Sequence, residues 1–156
     1  MSDELIGIRG IGTYFPKNIE SAQYIAEQSN IPQDVIEKKF GVIKKTVPGP
    51  DDTASNMGLR ASQKALMNAN IDAKAIDLVI WNGAQHKDFP CWLASLDVAY
   101  RLGATNAWGF DMEAMCGSMM AGFETAKSLM RNNDEIKTVL LCSGYRNNDL
   151  ISYKEP

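Results

Sequence analysis

The chain has 156 residues, of which 45% are hydrophobic, and its formal net charge is −3. This length and apolar content are enough for one globular domain with a buried core, and the small negative charge gives no field that would attract nucleic acid. No apolar stretch reaches the length of a membrane span. The N-terminus, MSDELIGIRG, has acids where a secretory signal has cations. We therefore expect a cytoplasmic protein that binds neither nucleic acid nor membrane.

The three cysteines, Cys91, Cys116 and Cys142, are an odd number and lack the spacing of a zinc site. Free thiols of this kind are typical of a reducing compartment rather than of a disulfide framework. The sequence therefore predicts neither a metal site nor a disulfide.

The first half of the chain begins with a predicted strand over residues 5–16, which Pro16 closes. Two short helices are predicted over 21–30 and 32–41, followed by a loop or short hairpin over 41–52. Thr53 is then the expected cap of a longer helix over 54–70, whose small and apolar residues recur with the helical period.

The second half alternates between strands and helices. The continuous apolar run over 76–83 has the length of a strand that is buried on both faces of a sheet. Four further elements are predicted in order: a helix over 91–104 that ends at Gly103, a strand over 106–112, a helix over 116–133 and a strand over 137–144. This alternation predicts an α/β layer with a central, mostly parallel sheet.

Cys116 is expected where the strand over 106–112 leads into the helix over 116–133. Unpaired backbone N–H groups and the helix macrodipole at such a position favour a thiolate, and the same N–H groups can hold an oxyanion. The alternative is a buried structural cysteine, since free cysteine is among the most buried residue types. The first half of this helix has no charge before Glu124, which predicts that it is buried between layers.

Asp111, Ala114, Cys116 and Gly122 keep the spacing of a motif of the thiolase-fold condensing enzymes, and the chain most resembles 3-oxoacyl-acyl carrier protein synthase III from GIGTYFP to KTVLLCSG. The resemblance implies a thiolase-like α/β fold, in which residues 1–156 are a single N-terminal domain. That domain is one half of a duplicated α-β-α layered fold with a mostly parallel mixed sheet. The half with the family's histidine and asparagine would then be a separate chain or lost by truncation.

The resemblance also implies an activity. Cys116 would accept an acyl group from a coenzyme A or acyl carrier protein thioester, with no permanently bound cofactor. A second thioester, often malonyl, would then lose carbon dioxide and attack the acyl-enzyme to form a carbon–carbon bond. Dividing one difficult condensation into two easier steps is the advantage of a covalent intermediate.

Three other positions are predicted to bind substrate: Phe89 from the resemblance, and Lys44 and Lys45 from a local cluster of positive charge. Phe89 matches a residue that closes the partner's acyl pocket across a homodimer interface, although local packing explains an aromatic loop residue equally well. Lys44 and Lys45 belong to a group of four lysines within eight residues. Their positive charge would steer a phosphate-bearing cofactor or an acidic carrier protein. A solvated surface is the alternative, and Ile43 stands where the family has an arginine.

The strand over 137–144 resembles the one that pairs with its symmetry mate in homodimers of the family. Cys142 would then be a small buried hydrophobe rather than a second nucleophile, and Cys91 would be a structural residue at the start of a helix. The order Gly117-Ser118 after the nucleophile differs from the more usual Ser-Gly. The methionines at 115, 119 and 120 suggest either a flexible acyl pocket or core packing.

Two other functions remain open at this stage. A 3-hydroxy-3-methylglutaryl-CoA synthase uses a glutamate base in the loop after the strand over 76–83, but the chain has Gln85 there, and an amide cannot accept a proton at neutral pH. His86, the single histidine, is interpreted as a solvated loop residue. A half-length subunit retained for assembly is the non-enzymatic alternative. An isolated half of the fold is expected to expose apolar surface and to associate.

Overall fold

The computed structural model describes residues 5–83, 88–150 and 152–154. The chain divides into two compact units: Met1–Tyr14 with Ala54–Tyr145, and Phe15–Thr53 with Arg146–Pro156. Gln85 and His86 lie outside the described residues. Within the described part of the chain, no helix is long and apolar enough to cross a membrane.

The larger unit is built on a three-stranded parallel sheet. Strand β3 (Leu78–Gly83) lies between β4 (Trp108–Glu113) and β5 (Val139–Cys142). All six residues of β3 are buried, as its continuous apolar run predicts for the central strand of a covered sheet. Strands β3 and β4 end level with each other, because Gly83 is the register partner of Glu113.

Helices cover both faces of this sheet. On one face, α3 (Ala54–Ala69) and α4 (Ala94–Leu102) pack over a cluster that includes Val79 and Trp81. On the other face, α5 (Ser118–Asn132) packs over Leu78 and Ile80. Alternate residues of β3 therefore belong to the two clusters, as the period of two along a strand requires. The predicted α/β layering is confirmed, and Gly103 ends α4 with a left-handed φ of 79° as expected.

Carboxylates from distant parts of the chain cap the N-termini of α3 and α4. Asp88 accepts hydrogen bonds from the N–H groups of Ala54 and Ser55 at 2.9 and 3.0 Å. Asp111, on β4, accepts from Ala94 and Ser95 at the same distances. Each bidentate cap satisfies two N–H groups that the helix leaves unpaired and places negative charge at the positive end of its dipole.

The predicted strand over residues 5–16 is wrong: none of its described residues forms a strand. Its alternating apolar residues instead include exposed side chains, among them Ile8 and Ile11, at 63% and 66%. The glycines in this segment allow close contact with α3, since a Cβ at Gly12 would lie 2.1 Å from the carbonyl oxygen of Ala61. The segment is thus fixed by backbone packing on a helix, which the strand pattern cannot reveal.

The smaller unit contains an antiparallel pair, β1 (Asn18–Ser21) and β2 (Lys44–Val47), and two helices. Helices α1 (Ala22–Ser29) and α2 (Gln33–Lys38) match the two short helices predicted from the sequence. Ser21 caps α1 by accepting a hydrogen bond from the N–H of Tyr24. The predicted loop or hairpin over 41–52 contributes β2, whose partner β1 the sequence pattern does not indicate.

We expect Asp111→Ala to lower the free energy of unfolding by about 1–2 kcal/mol, because two N–H groups of α4 lose their acceptor. Urea unfolding followed by circular dichroism measures the change. Glu124→Ala is the matched control: this carboxylate is 78% exposed and forms a surface ion pair with Lys127, three residues on, so a change below about 0.5 kcal/mol is expected. Equal losses in the two variants would contradict a capping role.

Candidate active site

Cys116 lies at the carboxyl end of the parallel sheet. It follows β4 in a 3-10 turn, Met115–Gly117, and α5 begins two residues later at Ser118. Its side chain is exposed. The predicted position of Cys116 between a strand and a helix is confirmed, and its exposure does not fit the alternative of a buried structural cysteine. Ligands of open α/β sheets bind at this edge of the strands.

The turn around Cys116 has an unusual backbone. Met115 has a φ of 51°, in the left-handed region that residues other than glycine rarely adopt. The N–H groups of Gly117 and Ser118 donate to the carbonyl oxygens of Ala114 and Met115. A regular helix start would have left these two N–H groups free, so the expected set of unpaired donors beside the thiol is smaller than predicted. The tighter hydrogen bonding of a 3-10 turn is the reason.

Small residues seat α5 on the sheet. Its buried residues are Ser118, Gly122 and Ala126, spaced four apart on one face of the helix. Gly122 lies directly on Asn82, because a Cβ at position 122 would stand 2.1 Å from the Oδ1 atom of Asn82. The Nδ2 group of Asn82 donates to the carbonyl oxygen of Ile80 at 3.0 Å. Gly122 is thus the motif residue that lets the helix approach the end of β3.

Larger apolar side chains lie on the other side of the same helix start. Met115, Met120 and Phe123 are 54%, 62% and 39% exposed, and Met119 is half-buried. The expectation that the first half of this helix is buried between layers is therefore wrong for these side chains, and the methionines are not core packing. The lack of charge in this half of the helix did not indicate burial, because the residues that face the sheet are small and the residues that face outward are apolar but exposed.

The other two thiols differ from Cys116 in environment. Cys142 is buried, and its thiol donates to the carbonyl oxygen of Ile80. Burial raises the pKa of the Cys142 thiol, and the nearby charge of Asp111 raises it further. Cys142 is thus the buried hydrophobe that the sequence predicts. Cys91 does not begin a helix, since α4 begins at Ala94; it is exposed, with a φ of 53°.

The remaining predicted residues are placed as follows. Phe89 is 62% exposed and meets Trp92 edge-to-face, with ring centroids 5.5 Å apart. Lys44 and Lys45 lie on β2 of the smaller unit. Lys45 pairs with Glu20 at 3.5 Å and lies 4.6 Å from the ring centroid of Tyr153. Its charge is therefore partly balanced within that unit. Among the described residues, no group of metal-ligating side chains could hold an ion.

Comparisons with known proteins give the relationships of the chain. A family model described as 3-Oxoacyl-[acyl-carrier-protein (ACP)] synthase III matches residues 110–156, which include Cys116. The beta-ketoacyl-[acyl-carrier-protein] synthase III of Rickettsia rickettsii is 29% identical over 149 residues, covering 95% of this chain and 46% of the relative. The enzyme of the same name from Clostridium perfringens strain SM101 is 31% identical over 134 residues, covering 86% of this chain and 40% of the relative. The resemblance predicted from the cysteine motif is confirmed.

The synthase III-like chain spans about half the length of the curated relatives it matches. A priming beta-ketosynthase of the R1128 polyketide pathway is 30% identical, with a TM-score of 0.74 over 78% of this chain and 36% of that one. The synthase III of Aquifex aeolicus has a TM-score of 0.84 over 95% of this chain and 47% of that one, at 23% identity, and shows the fold. The thiolase-like α/β fold is thereby confirmed.

Sequence reasoning did not single out Asn82. The available signal was a single asparagine near the end of an otherwise apolar strand, together with a glycine in helix α5. Its meaning depends on how closely that helix approaches the strand, which no spacing gives. Ser118 was noted only for its order relative to Gly117.

We expect Gly122→Ala to lower the free energy of unfolding by about 1–3 kcal/mol, since the added methyl group collides with the Asn82 amide and the helix must shift. Gly117→Ala is the matched control, because no atom of the described residues lies within 4 Å of a Cβ at that position; its cost should stay below about 1 kcal/mol. Thermal and urea unfolding measure both. A Gly122→Ala chain as stable as the control would show that the helix is not seated on Asn82.

Proposed function

We propose that Cys116 is the acyl-accepting nucleophile of a condensing acyltransferase of the 3-oxoacyl-acyl carrier protein synthase III type. The observation that carries the proposal is an exposed thiol in a 3-10 turn at the carboxyl end of a parallel sheet, two residues before a fifteen-residue helix. The family-model match spans this segment. The names of the relatives supply the substrate class, an acyl group carried as a thioester on acyl carrier protein.

The first half-reaction follows from the chemistry of a thiolate. The Cys116 sulfur attacks the carbonyl carbon of the donor thioester, and a tetrahedral oxyanion forms. The new carbon–sulfur bond remains as acyl-cysteine while the donor thiolate leaves and takes up the proton that Cys116 lost. The positive end of the α5 dipole lies beside the thiol and favours both anionic species.

Apolar surface next to the thiol suits the acyl chain. Met115 precedes Cys116 directly, and Met120 and Phe123 follow on the first turns of α5, all with exposed side chains. Flexible thioethers accommodate acyl chains of different shape better than branched side chains do. We propose that these three side chains contact the bound acyl group.

The second half-reaction joins two carbon units. We propose that the carbanion formed when a second thioester loses carbon dioxide attacks the acyl group on Cys116. The new carbon–carbon bond replaces the carbon–sulfur bond, and Cys116 leaves as a thiolate that takes up a proton from solvent. The groups that would assist decarboxylation, a histidine and an asparagine by the resemblance, belong to the other half of the duplicated fold. This chain supplies the acyl-enzyme.

The donor and the oligomer are further parts of the proposal. Coenzyme A or acyl carrier protein thioesters are the proposed donors, with Lys44 and Lys45 as contacts for phosphate groups. A homodimer through residues 137–144 stays a prediction. Among the described strands, the outer edge of β5 pairs with nothing, but the same is true of β4, whose Trp108 is 50% exposed.

We expect incubation with acetyl-CoA or octanoyl-CoA to add one acyl group to the chain, measured by intact mass spectrometry, and Cys116→Ala to abolish the adduct. Cys91→Ala is the matched control, because Cys91 is the other exposed thiol of the chain; this variant should be acylated as the unchanged chain is. Hydroxylamine should release the group, as it does from thioesters.

Two outcomes would overturn the assignment. An adduct that survives in Cys116→Ala and disappears in Cys91→Ala would show that Cys91 is the nucleophile. No adduct on any variant, including in the presence of a C-terminal half from a relative, would favour the assembly role over catalysis.

A further inference from the structure

The hydroxyl group of Ser118 joins three elements at one point. It accepts a hydrogen bond from the N–H of Ala114 at 2.7 Å and lies 2.6 Å from the carbonyl oxygen of Gly83, to which it donates. The carbonyl oxygen of Met115 is 2.9 Å away as a second acceptor. Gly83 ends β3, Ala114 follows β4, and Ser118 begins α5. One side chain thus links the ends of two strands to the helix start.

The position of this hydroxyl makes its hydrogen bonds difficult to replace. Ser118 is 3% exposed and Gly83 is buried, so water cannot take over the carbonyl oxygen of Gly83 without opening the helix start. A buried polar group that loses its partner costs more than the hydrogen bond itself contributed. The Ser118 hydroxyl therefore resists any movement of the turn away from the sheet.

The segment that Ser118 closes contains the thiol. Ala114 and Ser118 flank Met115, Cys116 and Gly117, and the side-chain bond from 118 to 114 spans all three. Within this loop Met115 has a left-handed φ of 51°, a conformation that residues with a side chain rarely adopt. A strained backbone persists only where its surroundings determine it. Ser118 provides that constraint from inside, while Cys116 itself stays exposed.

We propose that Ser118 is a positioning residue for Cys116, acting through the turn and not on the substrate. This inference rests on the proposed function of Cys116 as acyl acceptor. By the resemblance, the order Gly117-Ser118 differs from the more usual Ser-Gly, so this hydroxyl is a feature of this chain's own sequence. In this chain the hydroxyl fixes the turn by hydrogen bonds to two strand ends.

The test uses Ser118→Ala, which keeps the Cβ and removes the hydroxyl, and Ser118→Gly, which reproduces the glycine that is usual at this position. Ser62→Ala is the matched control. Ser62 is also 3% exposed and donates to a backbone carbonyl, that of Gly58 at 2.8 Å, but it lies within α3 on the opposite face of the sheet. Similar losses of stability are therefore expected in the control and in Ser118→Ala.

Hydrogen exchange of the turn is the first measurement. In both Ser118 variants, the amides of Ala114, Gly117 and Ser118, which donate the hydrogen bonds of the turn, should exchange about 10-fold faster or more, because the turn opens more easily without the hydroxyl. The amides of β3 should keep their protection, as should those of the turn in Ser62→Ala. Unchanged exchange of the turn would overturn the inference regardless of catalysis.

Acylation by acetyl-CoA is the second measurement, made well below the unfolding temperature of every variant. The maximal rate should fall about 10- to 100-fold in both Ser118 variants, since a misplaced nucleophile loses that much reactivity, while the half-saturating concentration stays close to that of the unchanged chain. Ser62→Ala should keep its maximal rate. An unchanged maximal rate in the Ser118 variants overturns the positioning role.

The two proposals fail in different ways. If the unchanged chain is not acylated by any thioester, the proposed function fails, while the exchange data still report whether Ser118 holds the turn. If the unchanged chain is acylated and the Ser118 variants are acylated equally fast, the function stands and the role of Ser118 does not.

Discussion

The close approach of α5 to the carboxyl end of β3 is the constraint on which the rest of the site depends. It exists because Gly122 has no side chain where the amide of Asn82 lies, and because Ser118 and Ala126 continue the same small face. Any larger residue on that face would lift the helix from the sheet. The turn before the helix would then lose its hydrogen bonds to the strand ends.

This constraint explains why the thiol is exposed although its surroundings are rigid. The residues that face the sheet are small and buried, so the turn over 115–117 lies at the rim of the sheet rather than beneath the helix. Backbone and hydroxyl hydrogen bonds hold the rim in place, and Cys116 and the nearby Met115 and Met120 project outward. The proposed acyl transfer needs both properties of the thiol, because a mobile nucleophile loses reactivity and a buried one cannot reach a thioester.

The three cysteines of the chain differ in burial and in their position relative to a helix start. Cys142 has its thiol buried in the core, where its raised pKa keeps it protonated. Cys91 is exposed in a turn before α4 but does not immediately precede a helix start. Cys116 alone combines an exposed sulfur with the positive end of a long helix, within the part of the chain that the structure describes.

Much of this could be predicted from the sequence, because periodicity reports burial directly. The run over 76–83 indicated the central strand, and Gly103 indicated the end of α4. The strand predicted over residues 5–16 was wrong, because alternating apolar residues do not show whether a partner strand is present. Gly12 in this segment allows close packing on a helix. The prediction that the first half of α5 is buried was also wrong for its larger side chains, because a lack of charge was interpreted as burial. The roles of Asn82 and Ser118 depend on contacts between distant segments, which spacing alone cannot supply.

Alkylation of the native chain by iodoacetamide, resolved by peptide mass spectrometry for each cysteine, tests the central claim most directly. The account predicts that Cys116 is modified fastest, that Cys91 reacts at the rate of an ordinary exposed thiol, and that Cys142 reacts only after unfolding. If Cys91 and Cys116 react at the same rate, the helix start and its turn give the sulfur no special reactivity, and the account of the site is wrong.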